Sequence, residues 1–343
     1  MKKQRLIAFL VSIIMCGLLL TGCGGDSDTA DGEKVYELTF QTQYMNNHPV
    51  VENVVMPWIE EVKERSDGRL IITHYNPNTL TSVQDTYNAV LSGTLDIGSA
   101  PMSWSPGKFP LSEIVEMPFL VSNSKEGSSL LWEMYQTMPE YQKEFEESIV
   151  LWQWTSPPTE VHTKNKLVTK LEDLKGFNVI ALTSFAVDIA THLGASPINM
   201  TPNDAYMSLE RNMADGLFHA TAPMRSLRID EITKYHTKVG MSSTGFYTVM
   251  NKDVFNSLPE DLQQILLETT GEKLVTATAE VLDAASENDE KWMIEQGHEF
   301  YELPAEERAR WIEAVSPITE KWLSNMENKG YSGLREIVER YYN

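Results

Sequence analysis

The sequence predicts an α/β protein of two lobes facing each other across a cleft, and three observations lead there. Strand-like and helix-like segments alternate from Tyr36 onward, at lengths that parallel strands with helical crossovers need. The pattern pauses and then resumes, and a chain of 343 residues suits two lobes better than one core. No catalytic motif interrupts it, and two such sheets place their ligand outside the carboxyl ends of the strands, where lobes close by hinge motion.

The first 22 residues read as a leader. Lys2, Lys3 and Arg5 form a basic start, Leu6 to Leu20 an apolar run shorter than the ~20 residues of a membrane span, and Thr21-Gly22 precede Cys23. Small residues before a cysteine at this place are a lipoprotein cleavage signal. Cleavage would make Cys23 the lipidated N-terminus and remove Cys16, leaving no disulfide, no thiol nucleophile and no cysteine metal site. Residues 23–35, small and acidic, read as a flexible tether. No later segment is apolar enough to span a bilayer, so the expected membrane link is the lipid alone.

The elements follow in order. Residues 35–43 alternate as a strand. Val51, Val54, Val55, Trp58 and Val62 recur at helical spacing, with Pro57 interrupting or restarting that helix and Asp67-Gly68 closing it. Residues 69–75 form a strand, 82–93 a helix, and 94–100 a strand. The pattern resumes with strands at 148–154 and 160–165. The stretch "LEDLKGFNVIAL" is a polar lead-in, a turn at Gly176 and the strand 177–182. A helix capped by Ser184 follows, then a short extended piece (196–200), a helix (202–212) and a strand (214–220). From Pro259 to Tyr342 the chain is mostly helical.

The formal charge is −21 at pH 7, with no Lys/Arg cluster, which argues against nucleic acid and anionic lipid headgroups. There is no Gly-x-Ser-x-Gly, Walker loop or Gly-x-Gly-x-x-Gly. The seven histidines show no metal-binding spacing. No enzyme, metal or cofactor is expected, although acid–base residues can converge from distant positions.

Six stretches together resemble the extracytoplasmic solute receptors of the tripartite ATP-independent periplasmic (TRAP) transporters, dicarboxylate-receptor type. They are "ERSDGRLIITHYNPNTL", "YNAVLSGTLDIG", "PGKFPLSEIVEMPFL", "LEDLKGFNV", "LGASPINMTPNDAYMSLERNMADG" and "VMNKDVFNSLPEDLQQIL", in family order from about residue 36 to the end. The resemblance implies a periplasmic-binding-protein-like fold with a long C-terminal helix bridging both lobes. On that fold, residues 36–157 plus about 246–285 would form lobe I, and 158–245 plus about 286–343 lobe II. It also implies capture of a small organic solute and its delivery to the small and large TRAP membrane subunits, driven by an ion gradient.

One departure bears on the ligand. The family's strand after "DLKG" carries an arginine that forks onto a solute carboxylate. The match places it at Ile180, puts Glu160 where a second basic residue is common, and puts His219 where the family has asparagine. Either the clamp has moved, to Arg211, Arg225, Lys108 or His219, or the ligand class has changed to a neutral, cationic or aromatic solute. A buried carboxylate without a cationic partner costs several kcal/mol. Aromatic residues at strand ends fit the second account: Tyr44, Trp104, Trp154 beside Trp152, Phe185, Phe218, and Phe246 beside Tyr247. With Glu160, Ile180, Thr183 and His219 these make the expected ligand-binding set. A receptor of the same fold serving another transporter or a sensor is the alternative reading, and a secreted enzyme a more distant one.

Overall fold

The computed structural model describes residues 34–200 and 202–342. The leader, Cys23 and nearly all of the tether lie outside the described residues.

Eleven strands among the described residues make two sheets. They are β1 (Tyr36–Gln41), β2 (Leu70–Tyr75), β3 (Ile97–Pro101), β4 (Ser148–Thr155), β5 (Glu160–Thr163), β6 (Asn178–Ala181), β7 (Ser196–Asn199), β8 (Gly216–His219), β9 (Tyr235–Lys238), β10 (Gly245–Asn251) and β11 (Glu299–Glu302). The first sheet has the order β2-β1-β3-β10-β4, the second β11-β9-β5-β8-β6-β7. As expected, β1 runs parallel to β2 and β3, and β6 parallel to β7 and β8. The expectation of wholly parallel sheets fails at two strands. β10 is antiparallel to β3 and β4, and β5 is antiparallel to β8 and β9. Both are the strands by which the chain crosses between lobes, so each enters its sheet from the cleft side, against its neighbours.

Local sequence explains the flanking elements. The first helix opens as a π turn, Val51–Val55, and continues as Met56–Arg65, with Pro57 at the junction of the two segments. Its stripe Val51, Val54, Val55, Trp58 and Val62 is buried. The helix Ser184–His192 is capped by Thr183 and not by Ser184: the Thr183 hydroxyl accepts from the Ala186 amide at 3.1 Å.

Two 24-residue helices bridge the lobes, each about 36 Å long. Glu272–Glu295 buries Leu274, Val275 and Leu282 beside the first sheet and Met293 beside the second. Ala305–Asn328 buries Trp311, Val315 and Ile318 in the second lobe and Trp322, Leu323 and Met326 in the first. Pro317 falls inside it, just where its contacts pass from one lobe to the other. The crossing segments hydrogen-bond to each other, Ser156 N to Thr244 O at 2.9 Å and Thr159 N to Ser242 O at 2.7 Å. No helix of the described residues is long and apolar enough to cross a membrane.

Candidate functional site

A cavity of about 170 Å³ lies between the lobes, at the carboxyl ends of the strands. Gln43, Tyr44 and His48 follow β1, Ser103 and Trp104 follow β3, Leu182 and Thr183 follow β6, and Phe218 and His219 end β8. The crossing segments supply Ser156, Thr159, Ser242, Thr244 and Phe246, and the bridging helix supplies Leu282.

One wall is a run of rings. Tyr44 stacks on His48 with centroids 3.5 Å apart and rings 2° from parallel. Tyr44 also lies 6.4 Å from Phe246, which stacks on Trp154 at 3.9 Å. Burial pushes the Tyr44 phenol above its ordinary value and takes the His48 imidazole down to about 3, so both are neutral at pH 7.

The polar side of the cavity is uncharged. None of its lining residues is Asp, Glu, Lys or Arg. Serine and threonine hydroxyls share the lining with a glutamine, Gln43, whose buried amide has only the Tyr44 phenol as a side-chain neighbour to bond. A primary amide can make up to four hydrogen bonds, so one with capacity to spare in a cleft wall can take the polar group of a ligand. Thr183 and Ala186 bring the N-terminus of the helix Ser184–His192 to the same wall.

His219 is held by a chain of imidazoles behind the wall. Its carbonyl oxygen accepts from His162 Nε2 at 3.1 Å, and its own Nδ1 donates to Ala220 O at 2.9 Å. His162 Nδ1 lies 2.7 Å from His236 Nδ1, and His236 Nε2 lies 2.9 Å from His298 Nδ1. The Lys234 ammonium, 2.8 Å from His298 Nε2, closes the far end. Carbonyls only accept and the ammonium only donates, so one set of tautomers satisfies every link, each neutral ring accepting from the Lys234 side and donating toward His219.

Of the ten residues expected to meet the ligand, Tyr44, Trp104, Thr183, Phe218, His219 and Phe246 line this cavity. The other four lie elsewhere. Trp154 is buried behind Phe246. Phe185 borders a separate hollow with Glu113, Asp188 and Lys321. The Glu160 carboxylate accepts from the amides of Val239 and Gly240 and is thereby occupied within the second lobe. Ile180 is fully buried in a cluster with Ala205, Leu209 and Leu217. Its neighbour Val179 is buried in the cluster on the opposite face of the sheet. A parallel strand covered on both faces is apolar throughout, which by itself accounts for the uncharged run "FNVIAL".

None of the proposed substitute cations reaches the wall except His219. Arg225 pairs with Asp289 at 3.1 Å and lies over the Trp292 ring, Lys108 pairs with Glu147, and Arg211 lies at an exposed helix end. The cation half of the expected ligand class loses the carboxylate that would pair it, because none lines the cavity. Among the described residues no three His, Cys, Asp or Glu side chains are placed to hold a metal. The sequence reading missed Gln43 and His48. Gln43 adjoined a residue already chosen, but nothing in the sequence shows that its amide is buried in the cavity wall.

The model of the bacterial extracellular solute-binding proteins, family 7 (DctP), matches residues 40–325. The chain belongs to this family. A curated relative named "Solute-binding protein", from Albidiferax ferrireducens, is 26% identical over 245 residues, 69% of this chain and 70% of the relative. Two solved structures share the fold. A TRAP solute-binding protein from Rhodoferax ferrireducens, holding copurified benzoate, matches with a TM-score of 0.83 at 24% identity, over 90% of this chain and 99% of that one. A marine metagenome TRAP protein described as specific for aromatic acid ligands, holding 3-hydroxybenzoate, matches with a TM-score of 0.84 at 23% identity, over 91% of this chain and 100% of that one. The resemblance to TRAP receptors is therefore borne out, as is the two-lobed fold. The family is extracytoplasmic and binds small organic solutes for transport.

Proposed function

We propose that this TRAP receptor is lipid-anchored through Cys23 and captures a small aromatic solute, holding it without a side-chain salt bridge. The observation that carries this is the cavity itself, lined by aromatic rings, hydroxyls and a buried amide, with no charged side chain. Its size agrees, since a cavity of ~150 Å³ admits benzene. The bound benzoate and 3-hydroxybenzoate of the two solved relatives support the aromatic class. Trp104 and Phe218 complete the ring contacts, and Thr183 belongs to the polar side. Because the lining comes from both lobes, Tyr44, Trp104 and Phe246 from one and Thr183, Phe218 and His219 from the other, a ring between them gains contacts on closure, which is the differential affinity that drives closing.

One observation favours an acid as the head group: the N-terminus of the helix Ser184–His192 opens on the cavity, and helix N-termini attract anions. Against it, the fully buried Glu116 takes a hydrogen bond from the Thr183 side chain and would repel an anion there when ionised.

A thermal-shift screen of the refolded protein tests the reading, with aromatic acids, aromatic amides, aliphatic dicarboxylates, quaternary amines and polyols. A ligand at 100 times its dissociation constant adds ~2.7 kcal/mol. Shifts confined to aromatic compounds are expected. A shift produced only by dicarboxylates or amines overturns it.

A further inference from the structure

We propose that His219 Nε2 selects the head group of the solute, so that the pocket takes an aromatic solute whose polar end carries a proton, and takes a carboxylic acid only together with one proton. This rests on the aromatic-solute reading above and deepens it.

The argument is one of donors and acceptors. Ala220 O can only accept, so the proton of the neutral His219 ring sits on Nδ1. Nε2 is then a lone pair on the cavity wall, and it has no hydrogen-bond partner among the described residues. The ring cannot easily turn to offer a donor instead. Turning it breaks the bond to Ala220 O, and the His219 backbone is itself pinned by the imidazole chain through His162 Nε2. An ionised carboxylate placed against Nε2 would set lone pair against lone pair. A phenol, an amide N–H or an undissociated acid would donate to it. Gln43, whose buried amide has only the Tyr44 phenol beside it, supplies a complementary donor and acceptor.

The surroundings offer a bound anion no other cation. Tyr44 and His48 are the titratable side chains of the facing lining. On the paired strand β5 stand Glu160 and His162, and β6 carries no titratable side chain. Glu116 acts through Thr183. A carboxylate must therefore bring a proton, or protonate His219 so that Nε2–H can donate.

The test uses the purified protein and isosteric pairs: benzoate with benzamide, and 3-hydroxybenzoate with 3-hydroxybenzamide. Titration calorimetry from pH 6 to 8.5, in buffers of different ionisation heat, reads affinity and proton uptake. Amides are expected to bind with affinity independent of pH. Acids are expected to bind with uptake of one proton and to weaken about tenfold per pH unit. In His219→Gln, which cannot titrate, the uptake should vanish, while in Glu116→Gln it should persist. Acids binding without uptake would overturn the proposal and leave the aromatic reading standing, with the helix N-terminus as the anion site. Uptake lost in Glu116→Gln but kept in His219→Gln would overturn it in favour of Glu116. Binding of neither series at any pH would remove the aromatic reading, and this inference with it.

Discussion

The Trp154 ring lies 3.9 Å from the Phe246 ring and 2° from parallel, joining β4 to β10 behind the cavity. Trp154 is buried and Phe246 faces the cavity, so the pair transmits core packing to the ring wall. Trp154→Ala should cost about 4 kcal/mol of stability, as large aromatic truncations in cores do. Urea denaturation checks this, and a loss below about 1 kcal/mol would mean that the ring is not held as described.

Ile180 separates the core from the site. Ile180→Ala should cost about 3 kcal/mol, for it empties a fully buried position, yet it should leave solute affinity within a few-fold. A large affinity loss in a variant that still folds would place residue 180 on the wall after all.

Glu160 should matter for stability and not for binding. Burial pushes its carboxyl up to about 7 from 4.5. Its folded pKa is raised, so its contribution is full below pH 4.5 and is lost as pH rises through 7. Glu160→Gln stays neutral and keeps an oxygen for Val239 and Gly240. The variant should match the wild type near pH 4.5 and melt a few degrees higher at pH 8.5. Equal melting temperatures across that range would show that Glu160 carries no such cost.

The imidazole chain has the opposite sign. Burial takes His162 to about 3, His236 to about 2 and His298 to about 4. Their contribution is present above 6.5 and is lost as pH falls toward those values. His236→Leu cuts two links of the chain and should destabilise the protein at pH 8. The deficit should narrow as pH drops from 6.5 to 4, because the variant no longer holds a neutral ring against protonation. A deficit constant with pH would count against the neutral chain.

Cys23→Ala should move the protein from the membrane fraction to the soluble one on cell fractionation. Retention of the variant on the membrane would refute the lipid anchor.

Much of the fold was readable because it is local. The period-2 and period-3.6 patterns placed most strands and helices of both lobes to within a few residues. The short strands β9 and β11 escaped, since four residues give too little pattern, and the helix Ser124–Thr137 was not read. The antiparallel entry of β5 and β10 also escaped. Strand direction is set by where the chain crosses between lobes, and each strand taken alone looks the same either way.

The site divides along the same line. Residues at strand ends, such as Tyr44, Trp104 and His219, were found because strand ends are local and clefts form there. Glu160 and Ile180 were chosen by correspondence with a family pattern, and packing decided otherwise. The backbone amides of Val239 and Gly240 occupy the first, and the cluster with Leu209 and Leu217 encloses the second.

By itself the sequence determined the alternation that makes two α/β lobes, the family, and the lack of any catalytic motif. Each of these depends on residues close together in the chain. Only the tertiary structure decided which side chains share the cavity, that none of them is Asp, Glu, Lys or Arg, that the Gln43 amide is buried beside Tyr44, and which nitrogen of His219 carries the proton. Those properties arise from groups far apart in sequence. The partners that fix His219 run through residues 162, 236 and 298 to Lys234. Hydrogen-bond complementarity at that range is set by packing, which no local pattern encodes.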